Sequence, residues 1–114
     1  FYKAKLRIAI LNFINDQNDK NIEFVSGGCS KGGDKFAEEL AIEMNIPIKI
    51  FYPDRSLLLE NPQKYHFAKI NYERNSLIAQ YSDIIVALVA SDRTGGTEDT
   101  IKKAKILNKE IILI

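Results

Sequence analysis

Helices and strands alternate along this 114-residue chain, which predicts an α/β fold with a mostly parallel sheet covered by helices on both faces. Three observations carry the prediction. Apolar residues recur at helical spacing in several segments, short apolar runs rich in β-branched residues separate them, and glycine-bearing turns lie where a strand hands over to a helix. Ligands of such sheets sit at the carboxyl ends of the strands.

Tyr2, Leu6, Ala9, Ile10, Phe13 and Ile14 recur at helical spacing, so the chain begins inside a helix, which the polar run 15–21 breaks. Ile22, Glu23, Phe24 and Val25 read as a short buried strand. Phe36, Ala37, Leu40, Ala41 and Met44 form the inner face of the next helix, and Pro47 follows it. Residues 48–51 are a second strand. A loop with Pro53 and Pro62 leads to a third helix over 63–80, then to a strongly apolar strand over 83–89. A continuous apolar strand implies burial on both faces. After a turn over 90–96, a helix carrying Ile101, Ala104 and Leu107 ends near Asn108 and Lys109, and residues 111–114 form a last strand.

The chain is long enough for one continuous core, and with 46% hydrophobic residues and no internal repeat it reads as a single domain over 1–114. Its formal charge of +1, from 16 basic and 15 acidic residues well mixed, gives no electrostatic footprint of a dedicated nucleic-acid binder. A single cysteine excludes an internal disulfide. Without a signal peptide or an apolar run approaching about 18 residues, a cytoplasmic protein with no membrane contact is expected. The apolar helix faces allow homo-oligomers without specifying them.

The run Ser26-Gly27-Gly28-Cys29-Ser30-Lys31-Gly32-Gly33-Asp34 follows the first strand and opens directly into an amphipathic helix. Glycines there let the backbone turn with positive φ and approach a ligand, and the unpaired N–H groups of the helix start point at whatever anion sits there. The run is neither the dinucleotide fingerprint nor a P-loop ending in Gly-Lys-Ser/Thr. The same glycines also suit a tight βα turn with Asp34 as a helix cap. A second glycine-bearing turn, over 91–100, likewise leaves a strand and enters a helix. Two turns facing one crevice argue for an anion site more strongly than one.

Val25-Ser26-Gly27-Gly28-Cys29-Ser30-Lys31-Gly32-Gly33-Asp34-Lys35-Phe36-Ala37, then Tyr52-Pro53-Asp54, Arg74-Asn75, Ser82-Asp83-Ile84-Ile85-Val86-Ala87 and Gly95-Gly96-Thr97-Glu98-Asp99-Thr100-Ile101 occur in the order seen in the SLOG superfamily. Over nearly its whole length the chain resembles this Rossmann-like group, which holds DprA, the LOG phosphoribohydrolases and small bacterial and phage proteins of the YspA type. The YspA type is the most similar branch. The resemblance implies a Rossmann-like three-layer α/β/α fold. Members share an opening strand ending in a Gly-Ser/Thr-Arg turn, and that strand is missing from this chain, which starts in the helix that would follow it.

The resemblance also implies binding of a nucleotide or nucleotide-derived ligand, its phosphate or ribose held between the two glycine turns. Ser26, Gly27, Gly28, Gly32 and Gly33 would supply backbone N–H groups or close approach, with Lys31 as a charge partner or a solvated loop lysine. Asp34 suits a helix cap better than a ribose ligand. Arg74, with Asn75 beside it, offers a guanidinium fork for phosphate or carboxylate, or an exposed helix charge. Gly95, Gly96 and Thr97 would form the second anion turn, with Thr97 donating a hydroxyl, capping the last helix, or both.

Catalysis finds less support. The LOG branch is similar in a Pro-Gly-Gly-x-Gly-Thr-x-x-Glu motif that cleaves an N-glycosidic bond, but here the proline is absent and Thr100 stands where that glutamate would be. Glu98 and Asp99 are near, yet adjacent helix positions diverge by about 100°. Whether the chain is an enzyme stays open, with a phosphoribohydrolase as the alternative. His66 is the only histidine and Cys29 the only cysteine, so no zinc set exists; no metal or cofactor is expected. Cys29 suits a turn that needs a small residue. Tyr65, Phe67 and Tyr72 could stack on a base but fit core or rim packing better. The resemblance to DprA raises single-stranded DNA as a further, less favoured partner, with Lys102, Lys103, Lys105 and Lys109 touching phosphates or merely forming a solvated helix face.

Overall fold

Leu6 and Ile10 are the buried positions of α1 (Tyr2–Asp16), one helical turn apart, and they close on Leu40 of α2 (Gly32–Met44). The computed structural model describes residues 2–16, 21–29, 32–58, 60–89 and 96–114. Between the two helices runs β1 (Phe24–Ser26), and β2 (Ile48–Ile50) follows α2. A 3₁₀ turn over Arg55–Leu57 leads to α3 (Lys64–Tyr81), β3 (Ile84–Ala87), α4 (Gly96–Ile106) and β4 (Glu110–Leu113). The predicted order of helices and strands is observed.

Two asparagines time the handover from helix to strand. Asn45 and Asn108 adopt φ of 55° and 57°. At each, the next residue's N–H reaches back to close the helix, Ile46 N–H to Ala41 C=O and Lys109 N–H to Ala104 C=O. Asparagine tolerates this left-handed conformation, so each helix stops there and a strand begins within a few residues.

β1 and β2 pair in parallel, Phe24 opposite Ile48 and Ser26 opposite Ile50, and β3 and β4 pair in parallel, Ile84 opposite Glu110 and Ala87 opposite Leu113. Among the described residues these are two separate two-stranded sheets. The one mostly parallel sheet expected from the alternation is thus present as two parallel pairs. Alternation dictates parallel strands linked by helices, but not that β1 and β3 bond to each other.

Period-two alternation gives β3 two working faces. Ile85 and Ala87 join Ala79 of α3 with Ile101 and Ala104 of α4 in one cluster. Val86, with Leu88 beyond the strand end, packs into the other cluster, around Leu6, Ile10 and Leu40 with Phe24 of β1. That second cluster is what joins the two strand pairs. Lys3 with Glu39 and Glu43, and Arg7 with Glu43, add ion pairs along the α1–α2 seam. Among the described residues no helix is long and apolar enough to cross a membrane.

Candidate functional site

Ser26, the last residue of β1, is buried, and its Oγ accepts the N–H of Gly28 at 3.1 Å. The chain then turns across Gly27, Gly28 and Cys29, with Gly28 at φ 70°. Asp34 reaches back from the first turn of α2. Its Oδ1 accepts Gly27 N–H at 3.0 Å and its Oδ2 accepts Cys29 N–H at 3.3 Å. The helix-cap role expected of Asp34 is therefore replaced by a loop-closing one: the carboxylate satisfies the amides before its helix.

That arrangement changes which N–H groups are open. The amides of Gly27, Gly28 and Cys29 are already engaged inside the loop. Gly32, at φ 71°, Gly33 and Asp34 remain at the start of α2, where first-turn N–H groups lack helical acceptors. The open N–H groups are those of that helix start, and Gly27 and Gly28 serve by their small size. A Cβ on Gly27 would lie 2.7 Å from Arg74 Nη1 and 2.9 Å from Asp34 Oδ2.

The absent side chain makes room for Arg74. Its Nη1 donates to the Gly27 carbonyl, and its Nε donates to Asn75 Oδ1 at 3.0 Å. Asn75, 4% exposed, turns the other way, and its Nδ2 donates to Asp99 Oδ2 at 3.1 Å and to Gly96 C=O at 3.4 Å. Lys103, one turn beyond, meets the same Asp99 oxygen at 2.6 Å. Neighbouring positions on α3 thus hold two helix approaches, Arg74 the glycine turn before α2 and Asn75 the start of α4.

The first glycine turn and the start of α4 open into one groove of about 1340 Å³ between the strand pairs. At its mouth lie Gly32, Gly33, Asp34, Arg74, Asn75 and Thr97; its apolar body runs along β1, β3 and α1. Thr97 is exposed at the start of α4, while Thr100 Oγ donates to Gly96 C=O. Lys31 and Gly95, predicted as site residues, lie outside the described residues, as do Ser30 and most of the second turn. Tyr65, Phe67 and Tyr72 are exposed and line neither this groove nor the smaller cavity beside Arg74. Lys103 and Lys109 donate to the carbonyls of Tyr72 and Gln80, which uses both to hold α3 and the end of α4 together.

Sequence reasoning missed Asp99 as a site residue. Its signal was the spacing to Lys103, an i,i+4 acid–base pair on a helix face. It also missed that Asp34 closes the loop, a bond no spacing rule reveals. Among the described residues no group of His, Cys, Asp and Glu could hold a metal ion.

Fold and site together define an α/β protein with a groove that runs along β1 and β3 and reaches the starts of α2 and α4. Comparison with protein-family models, with curated proteins and with solved structures gives no match.

Proposed function

We propose that this chain binds a nucleotide or nucleotide-derived ligand as a sensor or carrier domain, a Rossmann-like member of the SLOG superfamily acting in the cytoplasm. One observation carries the reading: the Arg74–Asn75 pair ties two glycine-bearing helix starts to the mouth of a single groove. Two helix N-termini and a guanidinium around one opening favour an anion there. The apolar body behind them gives a base somewhere to go.

Hydrolysis is the alternative, and the side chains present argue for binding without turnover. Asp99 Oδ2 is held by Asn75 and Lys103, and the Thr100 hydroxyl by Gly96. A general acid or base must reach the reacting atom, and these groups are tied to structural partners.

Thermal-shift titration of the chain with AMP, ADP-ribose, cyclic ADP-ribose, NAD and short single-stranded DNA tests the reading, followed by chromatography for released base. The expected result is a saturable shift with a small nucleotide and no free base, lost in Arg74→Ala. Release of base would establish an enzyme. A shift with DNA alone, falling steeply with salt, would instead favour nucleic-acid binding.

A further inference from the structure

Arg74 also lines a second cavity, of about 300 Å³, apart from the groove. Buried Ile70, with Leu57 and Leu77, supplies an apolar lining, and three side chains of different chemistry complete it: Tyr52, Asp54 and Glu73. Tyr52 is 65% exposed, yet its ring lies directly against the glycine loop, since a Cβ on Gly28 would come within 2.5 Å of Cε1. The ring is braced on one side and open on the other.

The polar groups here retain bonding capacity. Asp54 Oδ1 accepts both the N–H and the hydroxyl of Ser56, at 3.1 and 2.5 Å, which orients the carboxylate and leaves Oδ2 without a partner among the described residues. Glu73 has no hydrogen-bond or ion-pair partner among the described residues, and Arg74 keeps Nη2. Two carboxylates, a guanidinium edge and an aromatic plate therefore surround a small apolar cavity that shares Arg74 with the groove mouth.

We propose that this cavity is a ribose subsite, with the vicinal hydroxyls donating to Glu73 and Asp54 and the base resting on Tyr52; this rests on the nucleotide-binding reading above. Carboxylates accept from a sugar diol, as they do in dinucleotide folds. Their charge repels a phosphate, which is directed instead to the start of α2. A guanidinium at the rim also disfavours an organic cation, the other ligand that paired carboxylates and an aromatic ring would suit. Arg74 lines both subsites, with Nη1 and Nε held by Gly27 and Asn75 and Nη2 left for the ligand. Discrimination between ribose and 2′-deoxyribose follows.

The test is calorimetric titration of the chain with the four ribonucleoside 5′-monophosphates and their 2′-deoxy counterparts, repeated on Glu73→Ala and Asp54→Ala. Both positions are exposed, and equal unfolding midpoints would verify that the variants fold. A ribose diol bonded to a charged acceptor predicts about tenfold weaker binding of the deoxy form, and that ratio should collapse in the variant that removes the carboxylate accepting the 2′-hydroxyl. Equal affinity for the two series in the parent chain would overturn the subsite while leaving phosphate binding intact. A ratio that survives both substitutions would also overturn it. Binding of neither series, together with no thermal shift from ADP-ribose, cyclic ADP-ribose or NAD, would overturn the nucleotide reading and the subsite with it.

Discussion

Asn75 shows how much one uncharged side chain organises. Its carbonyl orients Arg74 and its amide group holds Gly96 and Asp99, so the first glycine turn and the start of α4 are coupled through a single residue. Asn75→Ala should cost about 1–3 kcal/mol, since it removes three hydrogen bonds made by a buried side chain, and should weaken the proposed nucleotide binding as Arg74 loses its orientation. Denaturant unfolding with a parallel binding titration checks both; unchanged stability would contradict the coupling. At this scale the sequence was informative about identity more than contact. Arg74 and Asn75 stood out as a motif, but their partners lie 47, 21 and 24 residues away, beyond any local rule.

Between elements, the α1–α2 seam combines an apolar stripe with a charged edge. Arg7, and after it Lys3, holds the Glu43 carboxyl below its ordinary value near 4.5, and Glu39 and Glu43 hold the Lys3 ammonium above its own near 10.5. The signs differ. The lowered Glu43 stabilises fully above its unfolded value and loses that contribution as pH falls through its folded one; the raised Lys3 contributes below its unfolded value and loses it as pH rises through its folded one. Between these limits Glu43→Gln should lower the melting temperature slightly, because exposed pairs contribute little. The difference from the parent chain should vanish as the medium becomes acid enough to protonate Glu43. Melting both chains across the acid range checks this; a difference constant with pH would exclude the ion pairs as its cause. Helices were the most legible elements because 3.6-residue spacing is a long signal. The strands carry three or four residues each, and their ends moved by one or two positions; the turn after Asp54 lay hidden in a proline-bearing loop.

Across the whole molecule, the division of the strands has a consequence for the backbone. Along β1, Phe24 N–H and Ser26 C=O face the β2 side, bonding Pro47 and Phe51, so the intervening Val25 directs its N–H and C=O the other way. Along β3, Ala87 C=O accepts from Ile114, so Val86 points away from β4. Both groups are directed toward the groove that Val25 and Val86 line. Hydropathy could not show this, because a strand buried on both faces reads the same whether or not its edge is paired. Native-state hydrogen exchange should therefore find the Val25 and Val86 amides exchanging on the order of tenfold or more faster than Ser26 and Ala87, which face their partner strands. A nucleotide at the groove mouth should slow Gly33 and Asp34 without protecting Val25 or Val86. Slow exchange at both valines in the unliganded chain would contradict the two-pair arrangement, because such protection requires a hydrogen-bond acceptor along both facing edges.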